Sequence, residues 1–458
     1  MKKLFLLSII FNFSLGCASF SKRRQALEQA LGNKAALQQL CSVGESGACA
    51  LLGQPSAPEK PLAIMQSQTS SRQSRIVVLV PKAQGLAYFL RAPATGAVSR
   101  LTPERFSQSG SSWAIDQLEV FNLEPKVEYE LVVIGPGSAL YDRRKFKTLN
   151  VDLRRARIAL VSGLDDHLHV EQGKIWTELV AQKPDVIYVL GDGVYADGVP
   201  PEQIWNRYAD VRSHLEVFKT PYLIPVFAVW NGQDLGKSGG DRSFPGKIKA
   251  GEVFHAFFAQ KKTSEGFEAG PGTASLWTAF GADFFFLDNR SFRSPNQIDL
   301  PDQTHFGSEQ EDWIAAKIKA AKRPAFLISG DQFFGGYHPF ESYEGDHPRR
   351  FKSQLDEWKK LKSPLVFLSG GRPLSEILKL TALGYTTYEV TSGPLHAATS
   401  QDAFLKDPSP AQMAGAAGQI NYLILEIMRS ERNLVRFDVK SFGLDSKLFF
   451  QKTLMVKR

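Results

Sequence analysis

Short apolar runs, each closed by a polar loop, recur along residues 151–400. They are Ile158 to Ser162, Val186 to Leu190, Leu223 to Trp230, Phe284 to Leu287, Phe326 to Ser329 and Leu365 to Ser369. Runs of this length are typical of strands that are buried on both faces. Helical stretches, such as Lys174 to Gln182 and the amphipathic Glu309 to Ala321, separate some of them. This alternation predicts one large α/β domain over residues 151–458, which antiparallel strands close at its end.

A different pattern precedes this domain. Short strand-like runs between Arg75 and Ile134 are separated by Gly, Pro and Ser turns, and they predict an antiparallel β-sandwich over residues 74–150. Residues 18–52 are predicted to be helical. Residues 53–74 are rich in Pro, Ser and Gln and are interpreted as a linker. Residues 18–73 are therefore expected to form a short helical segment with a linker.

The first 17 residues have the layout of an export signal. Lys2 and Lys3 precede an apolar stretch, Leu4 to Leu15, that is too short to span a bilayer. The stretch leads into Ser-Leu-Gly-Cys, which resembles a bacterial lipobox and implies that Cys17 becomes the lipidated first residue. We therefore expect an exported lipoprotein that is anchored to the membrane and faces the periplasm. Ordinary cleavage and secretion is the alternative.

The rest of the composition is that of a soluble globular protein, with 43% hydrophobic and 22% charged residues. The formal net charge of +8 becomes 8 − 2 = +6 once Lys2 and Lys3 are removed with the signal. This mild excess suits anionic partners such as phosphate-containing small molecules. A nucleic-acid binder would need a denser basic patch, so no nucleic-acid partner is expected.

Acidic side chains follow most of the predicted strands. Asp192, Tyr195 and Asp197 come directly after the run that ends at Leu190, and five of the six strand ends carry an Asp within a few residues. Because such strands end at one edge of an α/β sheet, this recurrence indicates a shared crevice. Ionised oxygen ligands on rigid strand ends suit a hard cation. For any one of these motifs, a plain polar turn is the alternative.

Six segments, taken in order, resemble the PhoD-like (alkaline phosphatase D) family of metallophosphatases. They are Gly191 to Asp197, Val229 to Gly236, Leu287 to Arg293, Gly307 to Ile314, Leu365 to Gly370 and Tyr388 to Ser392. The resemblance implies a four-layered α/β/β/α sandwich around a bimetal cleft, preceded by a small fibronectin III-like β-sandwich. It also implies hydrolysis of phosphate esters by a metal-bound hydroxide, with divalent or trivalent metals such as Ca or Fe.

Only part of the metal site that the resemblance implies is present. Asp192 and Tyr195 match ligands of the second motif, and Asp234 matches the last residue of the third, which reads Trp-Asp-Asp-His-Asp in the family. The changed positions are Gly163 for a Cys, Asn231, Gly232 and Gln233 for two Asp and a His, and Gly371 and Pro373 for a further Asp and His. Gly and Pro offer no side-chain ligand, so the bimetal site is predicted to be lost.

Neighbouring residues leave alternatives open. Asp165 and His167 have the spacing that the wider calcineurin-like phosphatases use for a first metal. Together with Asp192 and Asn231 they could form a single-metal or rearranged site, or their loop is a solvated turn before a helix. Arg290 is a candidate for binding a substrate phosphate, with an ion pair to an acid such as Asp288 as the alternative.

Three further pairs of residues are candidates for a role. Asp331 with His338, and Asp346 with His347, are expected on loops over the same crevice, but neither pair is placed in the site because a lone loop histidine is more often at the surface than a ligand. Cys41 and Cys49 lie in a stretch that resembles one unit of a cysteine-containing Sel1-like helical repeat, which implies a disulfide between them. An exported compartment permits that bond.

The sequence therefore predicts a PhoD-like protein of the cell envelope with phosphate-ester hydrolase ancestry. It is expected to be weakly active or inactive, to bind phosphate compounds or act as a scaffold, and to need no metal if the site is lost. No catalytic residue is assigned. One alternative is an active phosphomonoesterase or phosphodiesterase with a remodelled metal site. Another is an envelope interaction module that docks through the β-sandwich and the Cys41–Cys49 hairpin.

Overall fold

A computed structural model describes residues 20–58, 61–168, 171–296, 302–337, 342–401 and 408–458. Cys17, with the predicted signal, and His338 lie outside the described residues. Three short helices come first: α1 (Phe20–Gln29), α2 (Lys34–Ser42) and α3 (Ser46–Leu51). A disulfide joins Cys41 of α2 to Cys49 of α3. Among the described helices, none has the length and apolar character that a membrane crossing requires.

Eight strands follow and form two antiparallel sheets. They are β1 (Ala63–Thr69), β2 (Ser74–Pro81), β3 (Ala87–Ala92), β4 (Ala97–Leu101), β5 (Pro103–Ser107), β6 (Trp113–Val120), β7 (Glu128–Ile134) and β8 (Leu140–Lys147). The strand orders are β1-β2-β6-β5 and β4-β3-β7-β8. Apolar side chains of both sheets share one core. The three helices pack on the second sheet, where Leu37 and Leu51 meet Phe89 and Val132.

Strand β1 lies inside the segment that the sequence indicates to be a linker. It pairs with β2, and every one of its residues is buried. Several of its polar side chains make buried hydrogen bonds: Gln66 Nε2 donates to Thr69 Oγ1 at 3.1 Å and to the Lys147 carbonyl at 2.9 Å. The prediction was wrong for this segment because a strand with internally bonded polar side chains lacks the alternating pattern that identifies a half-buried strand.

The rest of the chain alternates strands and helices. The elements are β9 (Ala156–Val161), α4 (Gln172–Ala181), β10 (Val186–Leu190), α5 (Ile204–His214), β11 (Val226–Val229), α6 (Gly232–Leu235), α7 (Lys247–Phe258), β12 (Phe267–Ala269), β13 (Ser275–Ala279), β14 (Ala282–Phe286), α8 (Ser308–Ala321), β15 (Ala325–Ser329), α9 (Tyr343–Asp346), α10 (Pro348–Lys360), β16 (Leu365–Ser369), β17 (Leu374–Leu380), β18 (Thr387–Thr391), β19 (Gln412–Ala417), β20 (Tyr422–Glu431), β21 (Leu434–Phe442) and β22 (Leu448–Lys457). The prediction of a mixed α/β chain is confirmed.

These strands form two sheets. The six-stranded sheet has the order β11-β10-β9-β20-β21-β22, and the eight-stranded sheet has the order β12-β13-β14-β15-β16-β18-β17-β19. Strands β9, β10 and β11 are parallel, as are β14, β15, β16 and β18. Strands β20 to β22 are antiparallel, as the sequence pattern of the last segment predicts.

Three apolar clusters hold this region together. One contains strand side chains of both sheets, and in it Tyr188 contacts Phe227, Phe284 and Phe286 edge to face. A second joins the six-stranded sheet to α4, α5 and α7 and includes side chains of β1, β2 and β6. A third joins the eight-stranded sheet to α8 and α10. Parallel strands from both sheets therefore end next to one another, and their following loops meet.

Candidate functional site at the strand ends

Glycines allow the strand ends to come into backbone contact. Gly191 follows β10, Gly330 follows β15 and Gly370 follows β16. A Cβ on Gly191 would lie 2.8 Å from the Gly330 Cα, and one on Gly370 would lie 1.8 Å from the Leu190 carbonyl oxygen. No side chain fits at these distances. Main-chain atoms therefore close much of the space at this edge of the two sheets.

Asn231 lies at the centre of this contact and is buried. Its Oδ1 accepts hydrogen bonds from Arg290 Nε at 2.8 Å, from Arg290 Nη2 and from Asn289 Nδ2 at 3.1 Å. Its Nδ2 donates to Asp192 Oδ2 at 3.4 Å. The Arg290 guanidinium is fully buried and also donates to the Gly240 carbonyl at 3.2 Å. A buried cation thus bonds to the Asn231 amide oxygen, which is a candidate metal ligand.

The predicted role of Arg290 in phosphate binding needs an accessible guanidinium, and this guanidinium lies beneath Asn231 instead. The alternative partner, Asp288, bonds to the backbone of Arg290: its Oδ1 accepts from the Arg290 N–H at 3.0 Å. Asp288 also accepts from Trp230 Nε1 at 2.8 Å. These bonds fix the strand end after β14 and keep Arg290 in place.

Asp192 and Asp234 lie on either side of Asn231. Asp192 is half-buried, has a left-handed φ of +52°, and accepts from the Gln233 N–H at 3.4 Å. Asp234 is buried and accepts from the backbone N–H groups of Asn231 and Val194, both at 2.8 Å. Burial, together with the charge of Asp192, raises the pKa of Asp234 to about 8. Asp234 therefore acts as the capping carboxylate of α6, with its oxygens already bonded.

Tyr195 is half-buried beside these acids. Burial raises the pKa of its phenol far above the usual range, and the charges of Asp192, Asp165 and Asp234 add to the effect. Without a metal cation beside it, the phenol therefore stays protonated. The structure thus brings four of the predicted residues, Asp165, Asp192, Tyr195 and Asp234, within electrostatic reach of one another.

The loop of Asp165 and His167 is built around a residue that the sequence interpretation passed over. Asp165 Oδ1 accepts from the His167 N–H at 3.0 Å, and the His167 side chain is 72% exposed. Between them, Asp166 is buried and accepts from Arg207 Nη1 at 3.0 Å. Burial acts to raise the pKa of Asp166, but the Arg207 guanidinium outweighs it and lowers the pKa. An ion pair between Arg207 and Asp166 therefore holds this turn.

The chain matches no protein-family model and no curated protein sequence. Among solved structures, it matches one described as "Structure of PhoD" over 88% of this chain and 90% of that one, with a TM-score of 0.67 and 16% identity. The chain has the fold of PhoD. A sensor domain of the anti-sigma factor RsgI4 in Pseudobacteroides cellulosolvens also matches, over 20% of this chain and 92% of that one, with 17% identity. Its TM-score of 0.17 is too low to support any structural argument.

The PhoD-like fold allows the metal positions to be tested against this structure. Among the described residues, no group of three or more His, Cys, Asp or Glu side chains could hold a metal ion. A Cβ on Gly371, where the resemblance implies an Asp ligand, would lie 2.6 Å from the Gly330 carbonyl oxygen and 2.8 Å from Asn231 Nδ2. Asn231, at another ligand position, is bonded to Arg290. The residues of the PhoD-like site therefore do not fit a bimetal centre.

A buried ionic network lies next to this cluster. Arg293 Nη1 donates to Asp331 Oδ2 at 2.5 Å, and Arg293 Nη2 donates to Asp346. His305 Nε2 lies 3.1 Å from Asp331 Oδ2, and His305 Nδ1 lies 3.0 Å from His347 Nδ1. All five side chains are buried, so the expectation that a loop histidine such as His347 lies at the surface was wrong. The double arginine of the Leu287 to Arg293 motif was the sequence signal that could have indicated buried acidic partners.

Burial sets the protonation of this network. It lowers the pKa of His305 to about 3 and that of His347 to about 4, with the positive charge of Arg293 acting in the same direction. Burial acts to raise the pKa of Asp331, but His305 and Arg293 outweigh it and hold the pKa well below the usual range. At neutral pH the network therefore combines neutral imidazoles with an ionised carboxylate and a guanidinium.

Proposed function

We propose that this chain is a PhoD-like phosphatase-fold protein that has lost the metal-dependent hydrolysis of phosphate esters. The observation that carries this proposal is the hydrogen bonding of Asn231 to the buried guanidinium of Arg290. Metal-assisted hydrolysis needs two cations about 4 Å apart to clamp a phosphate and activate a water. Here the buried Arg290 guanidinium already places a positive charge in the cluster and uses the Asn231 oxygen as its acceptor.

The proposal extends to the finer features that the family resemblance implies. These are the four-layered α/β/β/α order of the main domain and the fibronectin III-like character of the sandwich. The proposal also includes export and lipidation at Cys17, which the N-terminal sequence predicts, and a binding or scaffold role in the cell envelope. The support for a role without catalysis is that residues of the motifs, such as Asp288, hold the strand ends, while several ligand positions carry Gly, Asn and Pro.

A second candidate is a working phosphoesterase with a remodelled metal site. It is favoured by the mutual proximity of Asp165, Asp192 and Asp234, whose charges act together on Tyr195. In that case Asp192 would be a ligand, because it is half-buried and lies at the end of β10. Its hydrogen bonds to Asn231 and Gln233 are both 3.4 Å long, which is the weak end of the range.

Metal content and turnover distinguish the two candidates. The purified full chain would be analysed for bound metal and assayed with phosphomonoesters and phosphodiesters in Ca, Fe, Mn and Zn. We expect metal well below one equivalent and the same background turnover for the wild type, Asp192→Ala and the exposed control Asp210→Ala. Stoichiometric metal, with turnover that Asp192→Ala abolishes and Asp210→Ala retains, would overturn the proposal in favour of the second candidate.

A further inference from the structure

Two adjoining hollows lie at the opposite end of the eight-stranded sheet from the strand-end cluster. Lys322 and Lys362 precede the first residues of β15 and β16, whereas Gly330 and Gly370 follow the last. These strands have five residues each, so the two ends are about 17 Å apart. The hollows have volumes of about 780 Å³ and 520 Å³, and Lys322 and Arg432 line both. A ligand here would not reach the residues of the candidate site.

The lining of the hollows is strongly basic. Five cations face them without an ion-pair or hydrogen-bond partner in the described parts of the chain: Arg154, Lys319, Lys322, Lys362 and Arg432. The carboxylate that lines them, Glu431, is paired with Arg429 at 2.7 Å. Other cations beside them are paired, such as Lys360 with Glu357 at 2.6 Å. Unpaired positive charge is thus concentrated in these hollows.

Helix dipoles explain only part of this arrangement. Lys319 and Lys322 lie at the carboxyl end of α8, where a positive charge is favourable in any helix. Arg154 precedes β9, and Arg432 lies in the turn between β20 and β21, so neither is near a helix end. Cations from four separate chain segments therefore converge, Arg154 and Arg432 among them without a helix end nearby, and their mutual repulsion favours binding of an external anion.

We propose that the hollows bind a soluble polyanion that carries several phosphate groups in a chain. A chain is favoured over a single phosphate because the five cations are spread over two hollows joined at Lys322 and Arg432. Concavity favours a discrete ligand over a membrane, since a flat layer of headgroups would not enter the hollows. Arg and Lys supply the charge-assisted hydrogen bonds that phosphate oxygens accept. This inference goes beyond the proposed function and does not depend on it.

Calorimetric titration of the full chain with inorganic tripolyphosphate and with inorganic phosphate tests the proposal. We expect tripolyphosphate to bind with one-to-one stoichiometry and at least about ten-fold more tightly than phosphate, because it contacts more of the cations. Its affinity should fall as NaCl is raised from about 50 mM to about 200 mM, since these exposed charges are screened. The double variant Lys322→Asn/Arg432→Gln should weaken binding about ten-fold or more.

The matched control is Lys183→Asn/Arg72→Gln, which removes the same two charges elsewhere. Lys183 has a φ of +53°, close to the +54° of Lys322, and both control residues are exposed. The control should bind tripolyphosphate like the wild type. Equal loss in both variants would overturn the proposal, because net charge alone would then explain binding. It would also be overturned if vesicles of phosphatidylglycerol and phosphatidylcholine bind in a Lys322- and Arg432-dependent manner while tripolyphosphate does not.

Discussion

Asn231 shows how one change of side chain alters the chemistry of a whole cluster. An amide oxygen accepts the guanidinium hydrogen bonds of Arg290 without adding a further negative charge beside Asp192 and Asp234. The amide nitrogen meanwhile donates to Asp192, which a carboxylate could not do. The side chains of the cluster therefore bond to one another. The set of ligands that two metal cations would need is incomplete.

Replacing Asn231 should show how far the stability of the protein depends on an acceptor for the Arg290 guanidinium. Asn231→Ala leaves the buried Arg290 guanidinium short of an acceptor, so we expect a loss of about 2–4 kcal/mol in the free energy of unfolding. Asn231→Asp keeps an acceptor and should lose less than half as much. Urea unfolding monitored by circular dichroism measures both. The exposed Asn433→Ala should change stability by less than about 0.5 kcal/mol.

An equal loss for the Ala and Asp variants of Asn231 would contradict this account, because the acceptor would then be irrelevant.

The sequence predicted that Asn231, Asp192, Tyr195 and Asp234 lie close together, since the motif order implies strand ends at one edge. It did not indicate Arg290 as the partner of Asn231. The two residues are 59 positions apart, and their contact depends on which strands become neighbours.

At the scale of elements, the strand ends pack closely because glycines, which have no side chain, lie where they meet. Gly191, Gly330 and Gly370 let the loops after β10, β15 and β16 approach to within van der Waals contact. The sequence identified these glycines as the ends of strands. It did not show that they are close-packed against one another, because a glycine that closes a strand has the same local pattern whether or not another backbone lies against it.

Gly370→Ala should therefore be strongly destabilising. Its Cβ would lie 1.8 Å from the Leu190 carbonyl oxygen, and neither backbone can move without separating β10 from β16. We expect a loss of about 3 kcal/mol or more in unfolding free energy. Thermal and urea unfolding of the variant measure this loss.

The control for Gly370→Ala is Gly85→Ala, where the nearest atom to the new Cβ, the Arg24 Nη1, is 4.0 Å away. It should stay within about 0.5 kcal/mol of the wild type. A Gly370→Ala variant as stable as Gly85→Ala would show that the strand ends are further apart than the structure has them.

For the molecule as a whole, the buried histidines predict sensitivity to acid. His305 has a pKa of about 3 against an ordinary value of 6.5, so the unfolded chain binds a proton at this residue before the folded chain does. Its contribution to stability is full above pH 6.5 and is lost as the pH falls from there towards about 3. Carboxyl groups with raised pKa values, such as Asp234, change stability with pH in the opposite direction.

Comparing the wild type with a His305 variant isolates the contribution of this histidine to the pH dependence of stability. Between about pH 6 and pH 4, the unfolding free energy of the wild type should fall more steeply than that of His305→Gln, by about 1.4 kcal/mol per pH unit. Urea unfolding at several pH values measures both slopes. His167→Gln, in which the ring is exposed, should keep the wild-type slope. Identical slopes for the wild type and His305→Gln would contradict the buried, neutral state of His305.

The sequence by itself determined most of the elements of this protein and the order in which they occur. Apolar runs must be buried, their lengths and periods select strands or helices, and Gly-rich polar ends mark where strands stop. Only the tertiary structure decided the chemistry at those ends. It placed Arg290 beneath Asn231, joined Arg293 to Asp331 and Asp346, and turned a polar stretch into strand β1. Hydrogen-bond partners that are 38 to 59 residues apart are set by sheet pairing, and sheet pairing is a property of the whole fold.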